Sequence, residues 1–297
     1  MRVTVEIDAD GLARVEMCRG DGNAIDLAMA RALLGAAREC EKARVRAVLL
    51  SGQGRSFCVG GDLKEFGAVS GAGLADHLTE VTDALHGALR ILTGLQAPLV
   101  VAVQGAVAGA GLGLVAVADV GLAATDARFT AAYTGIGYTP DAGVSWSLPR
   151  LVGSLRARDL LLTNRRVTAA EALEMGLVSR IVAPERLKEE AVGIAGALAR
   201  GATAVYGATR RLLDRALSVD LDDHLDLEAR QLTAAAGAAE GREGVAAFLA
   251  GRRPDFRAVA RRGSVDGAGP DLATPPDSSP SPPRRGVAGP DRPTRKG

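Results

Sequence analysis

Gly105-Ala106-Val107-Ala108-Gly109-Ala110-Gly111-Leu112-Gly113 lies between two apolar runs, Leu99–Val103 before it and 114–118 after it. The first run predicts a buried strand and the second a buried helix, with the glycines forming the turn between them. Glycine in such a turn lets the backbone come close to a ligand, and the first N–H groups of the following helix have no intrahelical partner. Side chains are nearly absent here. Whatever this turn binds, it binds with its backbone, and free N–H groups select negative charge.

Upstream, residues 74–95 predict a long helix and 46–50 a buried strand. Between them Ser56-Phe57-Cys58-Val59-Gly60-Gly61-Asp62-Leu63-Lys64-Glu65 reads as a second glycine-containing strand-to-helix turn. Asp26 is positioned to cap a helix with small or apolar residues at 27, 30, 33, 34 and 37. Val3–Ile7 and Leu12–Met17 alternate around Asp8-Ala9-Asp10-Gly11 and predict a β-hairpin. Downstream, 119–123 and 127–129 read as extended, and 133–141 as irregular. Pro140-Asp141-Ala142-Gly143 reads as a helix start, and Thr168 with Glu171 as a capping box for a helix over 168–175. The last strand is 177–182, followed by helices over 185–200, 203–218, 221–236 and 242–250. The pattern is an α/β alternation with a helical end, divided at 1–200 and 201–258. Residues 259–297 are rich in proline, serine, glycine and arginine, a composition that predicts a disordered tail.

With 297 residues, 47% of them hydrophobic, the chain can bury a sizeable core. A net charge of +1 and an aromatic content of 3% argue against nucleic acid and anionic membrane partners. Cys18, Cys40 and Cys58 form no CxxC pair, so no metal site or disulfide framework is expected; the expected setting is the reducing cytoplasm. The apolar run at 99–122 is broken by glycines, Gln104 and Asp119, too interrupted to span a bilayer.

Five ordered segments resemble the crotonase (enoyl-CoA hydratase/isomerase) superfamily: 55–64, 104–113 with Asp119 after it, 168–172, 175–178 and 242–249. The resemblance implies a ββα superhelix, a C-terminal helical trimerisation region giving a homotrimer or a dimer of trimers, and an acyl-CoA thioester substrate. It implies no cofactor beyond the coenzyme A carried by the substrate. The backbone N–H groups of Gly61 and Ala110 would form an oxyanion hole for the thioester enolate, the kind of fixed donor pair that is often the largest catalytic contribution. Arg55, Phe57, Cys58, Gly60, Leu63, Lys64, Gly109, Tyr133 and Trp146 would line the substrate and CoA site. Where the family often has a CoA-binding lysine, the chain has Gly251, with Arg252 and Arg253 beside it.

Hydratases of the superfamily use two glutamates; this chain has Gly113 and Tyr133 at those positions. Asp141 remains, in Gly137-Tyr138-Thr139-Pro140-Asp141-Ala142-Gly143-Val144-Ser145-Trp146, a segment that resembles the ring-1,2-epoxyphenylacetyl-CoA isomerases of phenylacetate degradation. The expected activity is acyl-CoA isomerisation, a double-bond shift or an epoxide rearrangement, with Asp141 as sole general acid/base in fatty acid or phenylacetate metabolism. Three readings stand beside it: hydration, Asp141 as a nucleophile in dehalogenation or hydrolysis, and a non-catalytic scaffold. Asp141 alone also reads as a helix cap. Gly111-Leu112-Gly113-Leu114-Val115-Ala116 fits a nicotinamide fingerprint, but no acidic residue clearly ends the next strand. His77, His86 and His224 read as surface or packing residues.

Overall fold

In a computed structural model, which describes residues 1–263 apart from Ser70 and Ala72, the chain begins as the expected hairpin. β1 (Val3–Ile7) and β2 (Leu12–Met17) pair antiparallel, with the Asp8 carboxylate accepting from the Asp10 and Leu12 amides in the turn. Asp26 caps α1 (Leu27–Lys42) by accepting from the Met29 N–H at 2.6 Å. β3 (Ala47–Gly52), α2 (Leu63–Ala68), α3 (Gly73–Gly94) and β4 (Leu99–Val103) follow where the hydrophobic pattern predicts them.

Past Val103 the glycine-rich segment is more than a turn. It contains a strand, β5 (Ala106–Ala108), before α4 (Ala110–Ala116) begins. β6 (Val120–Ala124) and β7 (Arg128–Thr130) come next, and β5 pairs parallel with β7. Val107 is fully buried between its partners, so this backbone is bonded in a ladder rather than left to water. The helix expected to open at Pro140 starts four residues later, as α5 (Val144–Val152). Ala142 and Gly143 both have left-handed φ, +47° and +74°, which the body of a right-handed helix cannot accommodate, so neither belongs to α5. The chain continues through α6 (Ser154–Thr163), β8 (Val167–Thr168), α7 (Ala169–Glu174), β9 (Arg180–Val182) and α8 (Leu187–Ala199). Thr168 and Glu171 make the expected capping box on α7.

Among the described residues there are two sheets. The larger has the order β1-β2-β3-β4-β6-β9, parallel except for β1; the smaller is β5-β7-β8. Alternate residues of the central strands divide between two cores, as expected for a parallel sheet covered on both faces. Val48, Leu50, Leu99, Val101 and Val103 join the side-chain cluster that includes α1 and α3. Ala47, Leu49, Val100 and Ala102 pack instead against Leu187, Ala191, Ala195 and Ala199 of α8.

α9 (Thr203–Arg215), α10 (Leu221–Gly237), α11 (Ala239–Leu249) and α12 (Phe256–Gly263) complete the helical end. Arg46 ties it to the core: its guanidinium donates to the Ala199 and Gly201 carbonyls at 2.7 and 2.6 Å and lies 3.9 Å from Glu240 of α11. Burial pushes the Glu240 carboxyl up and Arg46 down, each partly offset by the other's charge. The expectation of a disordered tail from 259 is corrected at its start, because residues 259–263 belong to α12; the rest of that segment lies outside the described residues. Among the described residues no helix is long and apolar enough to cross a membrane.

Candidate active site

The two glycine-bearing turns meet. Phe57 N–H donates to the Gln104 carbonyl, Cys58 N–H to Ala106, and Ala108 N–H back to Cys58, which lays 57–58 alongside β5 as a parallel bridge. Gly60 and Gly109, both with positive φ, then pass each other. A Cβ on Gly60 would lie 3.1 Å from the Ala108 oxygen, and one on Gly109 3.3 Å from the Gly60 Cα. Both contacts are tight, and both positions have the positive φ that side chains strain, so glycine is strongly favoured at each.

The residues after the crossing are Gly61 and Ala110. Gly60 accepts from the Ile25 amide at 2.7 Å and Asp62 N–H donates to the Ile25 carbonyl at 2.9 Å, which fixes Gly61 between two bonded neighbours. Among the described residues neither the Gly61 nor the Ala110 N–H has a hydrogen-bond acceptor. Asp62 holds the turn by accepting from the Lys64 and Glu65 amides and from Arg19, whose guanidinium also reaches the Ala24 carbonyl at 2.7 Å and Asp26 at 3.3 Å. Burial alone would push the Asp62 carboxyl up, but Arg19 and the two amides together hold it below the usual carboxylate range. The carboxylates of Asp26, Asp62 and Glu65 cluster within 4.8 Å of one another, but the first two are paired with arginines.

Asp141 lies in the loop before α5. It does not cap that helix: the N-cap is Gly143, and the Asp141 carboxylate turns to Tyr133, whose hydroxyl donates to Oδ1 at 2.6 Å. The other carboxylate oxygen has no protein partner among the described residues. Burial and the adjacent carboxylate push the Tyr133 phenol far up, so it stays protonated and remains a donor. Burial pushes the Cys58 thiol up to about 12, which leaves it a neutral packing residue rather than a nucleophile. Next to Asp141, the Ala142 side chain fills the space in front of Gly113 of α4: a Cβ on Gly113 would lie 2.6 Å from both the Cβ and the oxygen of Ala142. This packing carries Asp141 to the helix that opens with Ala110.

The other expected site residues are distributed unevenly. Leu63 and Lys64 are exposed on the first turn of α2 and Trp146 is exposed on α5, its ring 3.9 Å below the Arg150 guanidinium. The side chains of Phe57 and Cys58 have no exposed surface, which corrects the expectation that they contact a ligand: Phe57 is a core anchor for the turn. Arg55 lines a crevice of about 430 Å³ on the α8 face with Glu6, Arg14, Glu16 and Lys188. Arg252 is engaged by both oxygens of Glu243. His86 contradicts its reading as a bland packing residue, because its Nε2 accepts from the Ala142 N–H at 3.1 Å. The two lie 56 positions apart, and no periodic signal in the sequence pairs them.

A family model described as enoyl-CoA hydratase/isomerase matches residues 8–259. A "probable enoyl-CoA hydratase" of Rhodobacter capsulatus is 39% identical over 249 residues, covering 84% of this chain and 95% of that protein. A 1,2-epoxyphenylacetyl-CoA isomerase of Escherichia coli is 38% identical over 213 residues, 71% of this chain and 81% of its own. The crystal structure of an enoyl-CoA hydratase from Bacillus anthracis superposes with a TM-score of 0.80 at 27% identity, covering 86% of this chain and 100% of that one.

Proposed function

The chain belongs to the enoyl-CoA hydratase/isomerase family, and within it we propose that this enzyme is an acyl-CoA isomerase with one carboxylate as its acid and base. The observation that carries this reading is the state of Asp141: one oxygen held by Tyr133, the other free, and the place of a second carboxylate at position 113 filled by Ala142. In a 3-enoyl thioester, the free oxygen removes the proton between the carbonyl and the double bond. The C–H electron pair moves into a dienolate, and its charge gathers on the thioester oxygen, facing the Gly61 and Ala110 N–H groups. The protonated Asp141 then returns its proton to the far carbon, giving the 2-enoyl thioester. No water enters the product and no cofactor beyond the substrate's own coenzyme A is needed. The same polarised thioester suits an epoxide rearrangement, the activity in the name of the Escherichia coli relative.

Turnover of 3-enoyl-CoA in deuterated water, followed by mass spectrometry, tests the proposal. The expected product is the 2-enoyl thioester with no added water and less than one deuterium at the far carbon, because Asp141 returns the substrate's own proton except where it exchanges with solvent first; a 3-hydroxyacyl product overturns the proposal in favour of hydration. Tyr133→Phe is expected to lower kcat roughly 10- to 100-fold without unfolding the chain, the cost of losing one hydrogen bond to a charged group. Steady-state kinetics beside a thermal melt measure both. The proposal extends to a homotrimer or dimer of trimers, supported by the exposed Leu213, Leu232, Val245, Phe248 and Leu249 on the terminal helices. A cytoplasmic setting is supported by three free cysteines.

A further inference from the structure

We infer that His86 is a positioning residue for Asp141, acting through the backbone of Ala142; the inference rests on the proposed role of Asp141 as the acid and base. Ala142 is fully buried and non-glycine, yet it has a φ of +47°, a conformation that persists only where its surroundings over-determine it. Two contacts do so. Gly113 leaves the room that the Ala142 methyl group occupies, and His86 Nε2 accepts the Ala142 N–H at 3.1 Å.

The consequence falls on the neighbouring residue. In an ordinary helix start, Asp141 would turn its carboxylate onto the first amides of α5, because an aspartate at that place is a good cap. The left-handed pair Ala142–Gly143 moves the start of α5 on to Val144 and gives the N-cap place to Gly143, so no side chain caps α5 and the Asp141 carboxylate meets Tyr133 instead. His86 stands on α3, a 22-residue helix packed into the core through Val81, Leu85, Ala88, Leu89 and Leu92. A rigid element thus holds the loop through a single acceptor. In this bond the ring nitrogen Nε2 is the acceptor, a role that the Nδ1-protonated tautomer provides. A buried amide without it is left unsatisfied, and the loop gains a reason to revert to the capped geometry.

The test compares His86→Leu, which fills the space without an acceptor, with His86→Gln, whose amide oxygen reaches the place of Nε2. His86→Leu is expected to lower kcat for 3-enoyl-CoA by about 10²-fold, the scale of a misplaced catalytic group, with KM changed no more than about two-fold. His86→Gln is expected to restore kcat to within about five-fold of wild type, a recovery of more than ten-fold over the leucine variant. Should the leucine variant fail to fold by circular dichroism, His86→Asn, with its acceptor one bond short, takes its place under the same expectation. An unchanged kcat in the leucine variant overturns the inference, and so does a glutamine variant as slow as the leucine one, because the imidazole would then act other than as an acceptor. A crystal structure of His86→Leu supplies a reading independent of activity. Asp141 released from Tyr133 and capping α5 supports the inference; an unmoved Asp141 overturns it. A wild type that does not isomerise enoyl-CoA overturns the functional proposal alone and leaves the structural comparison decisive here.

Discussion

Asp141→Asn is expected to reduce the rate of double-bond migration by about 10²–10⁴-fold, the range that a positioned general acid/base supplies. The substitution keeps the size and shape of the side chain, and its carbonyl oxygen can still accept from the Tyr133 hydroxyl, so the loop has no reason to move. It removes only the ability to take up a proton. The Gly61 and Ala110 amides are backbone groups and are left unchanged, so the affinity for an unreactive thioester such as acetyl-CoA should stay within a few-fold of wild type. The measurement is kcat for 3-enoyl-CoA by absorbance of the 2-enoyl product, beside calorimetric titration with acetyl-CoA. A variant that still isomerises at more than about a tenth of the wild-type rate would move the acid/base role to another group. Loss of binding together with rate would mean that Asp141 shapes the pocket rather than acting in it.

Features encoded by neighbouring residues were legible in the sequence. Alternation marked the β1–β2 hairpin, Asp26 three residues before Met29 marked the cap of α1, and Thr168 with Glu171 marked the capping box of α7. The crossing of Gly60 and Gly109 was legible only as two separate glycine turns, because their contact is made through the sheet and not along the chain. β5 escaped notice for a related reason: three small or apolar residues between glycines read as a turn, and their strand character comes from pairing with Arg128–Thr130. Asp141 stood out through its motif, but its surroundings did not. Pro-Asp before an apolar run is a cap signal, and the left-handed Ala142 that cancels it depends on a gap at Gly113 and an acceptor on α3, both distant in sequence. Tyr133 was legible as a candidate site residue, but its hydrogen bond to Asp141 required the three-dimensional loop.

The second large effect concerns position 113, where the resemblance to hydratases calls for a glutamate. Gly113→Glu is expected to destabilise the protein by more than about 3 kcal/mol, not to create a hydratase. The first added atom already collides, because a Cβ there lies 2.6 Å from the Ala142 Cβ and 2.6 Å from its oxygen, and Gly113 is buried within α4. Overpacking of this kind costs about 1–3 kcal/mol before the carboxylate is counted, and a charge placed there without a cation adds to it. In thermal terms about 3 kcal/mol corresponds to a fall in Tm of roughly 6–12 °C for a domain of this size. Gly113→Ala isolates the steric part, and Ala142→Gly offers a direct check on its source. Glycine accepts the +47° conformation freely and removes one of the two colliding atoms, so the double variant should recover part of the Tm lost by Gly113→Ala. Recovery should be incomplete, since the Ala142 oxygen remains in place. If Gly113→Ala melts with the wild type, the packing between α4 and the Asp141 loop is looser than these distances require. A second carboxylate could then be accommodated, and the argument for a single acid and base would have to rest on Tyr133 alone.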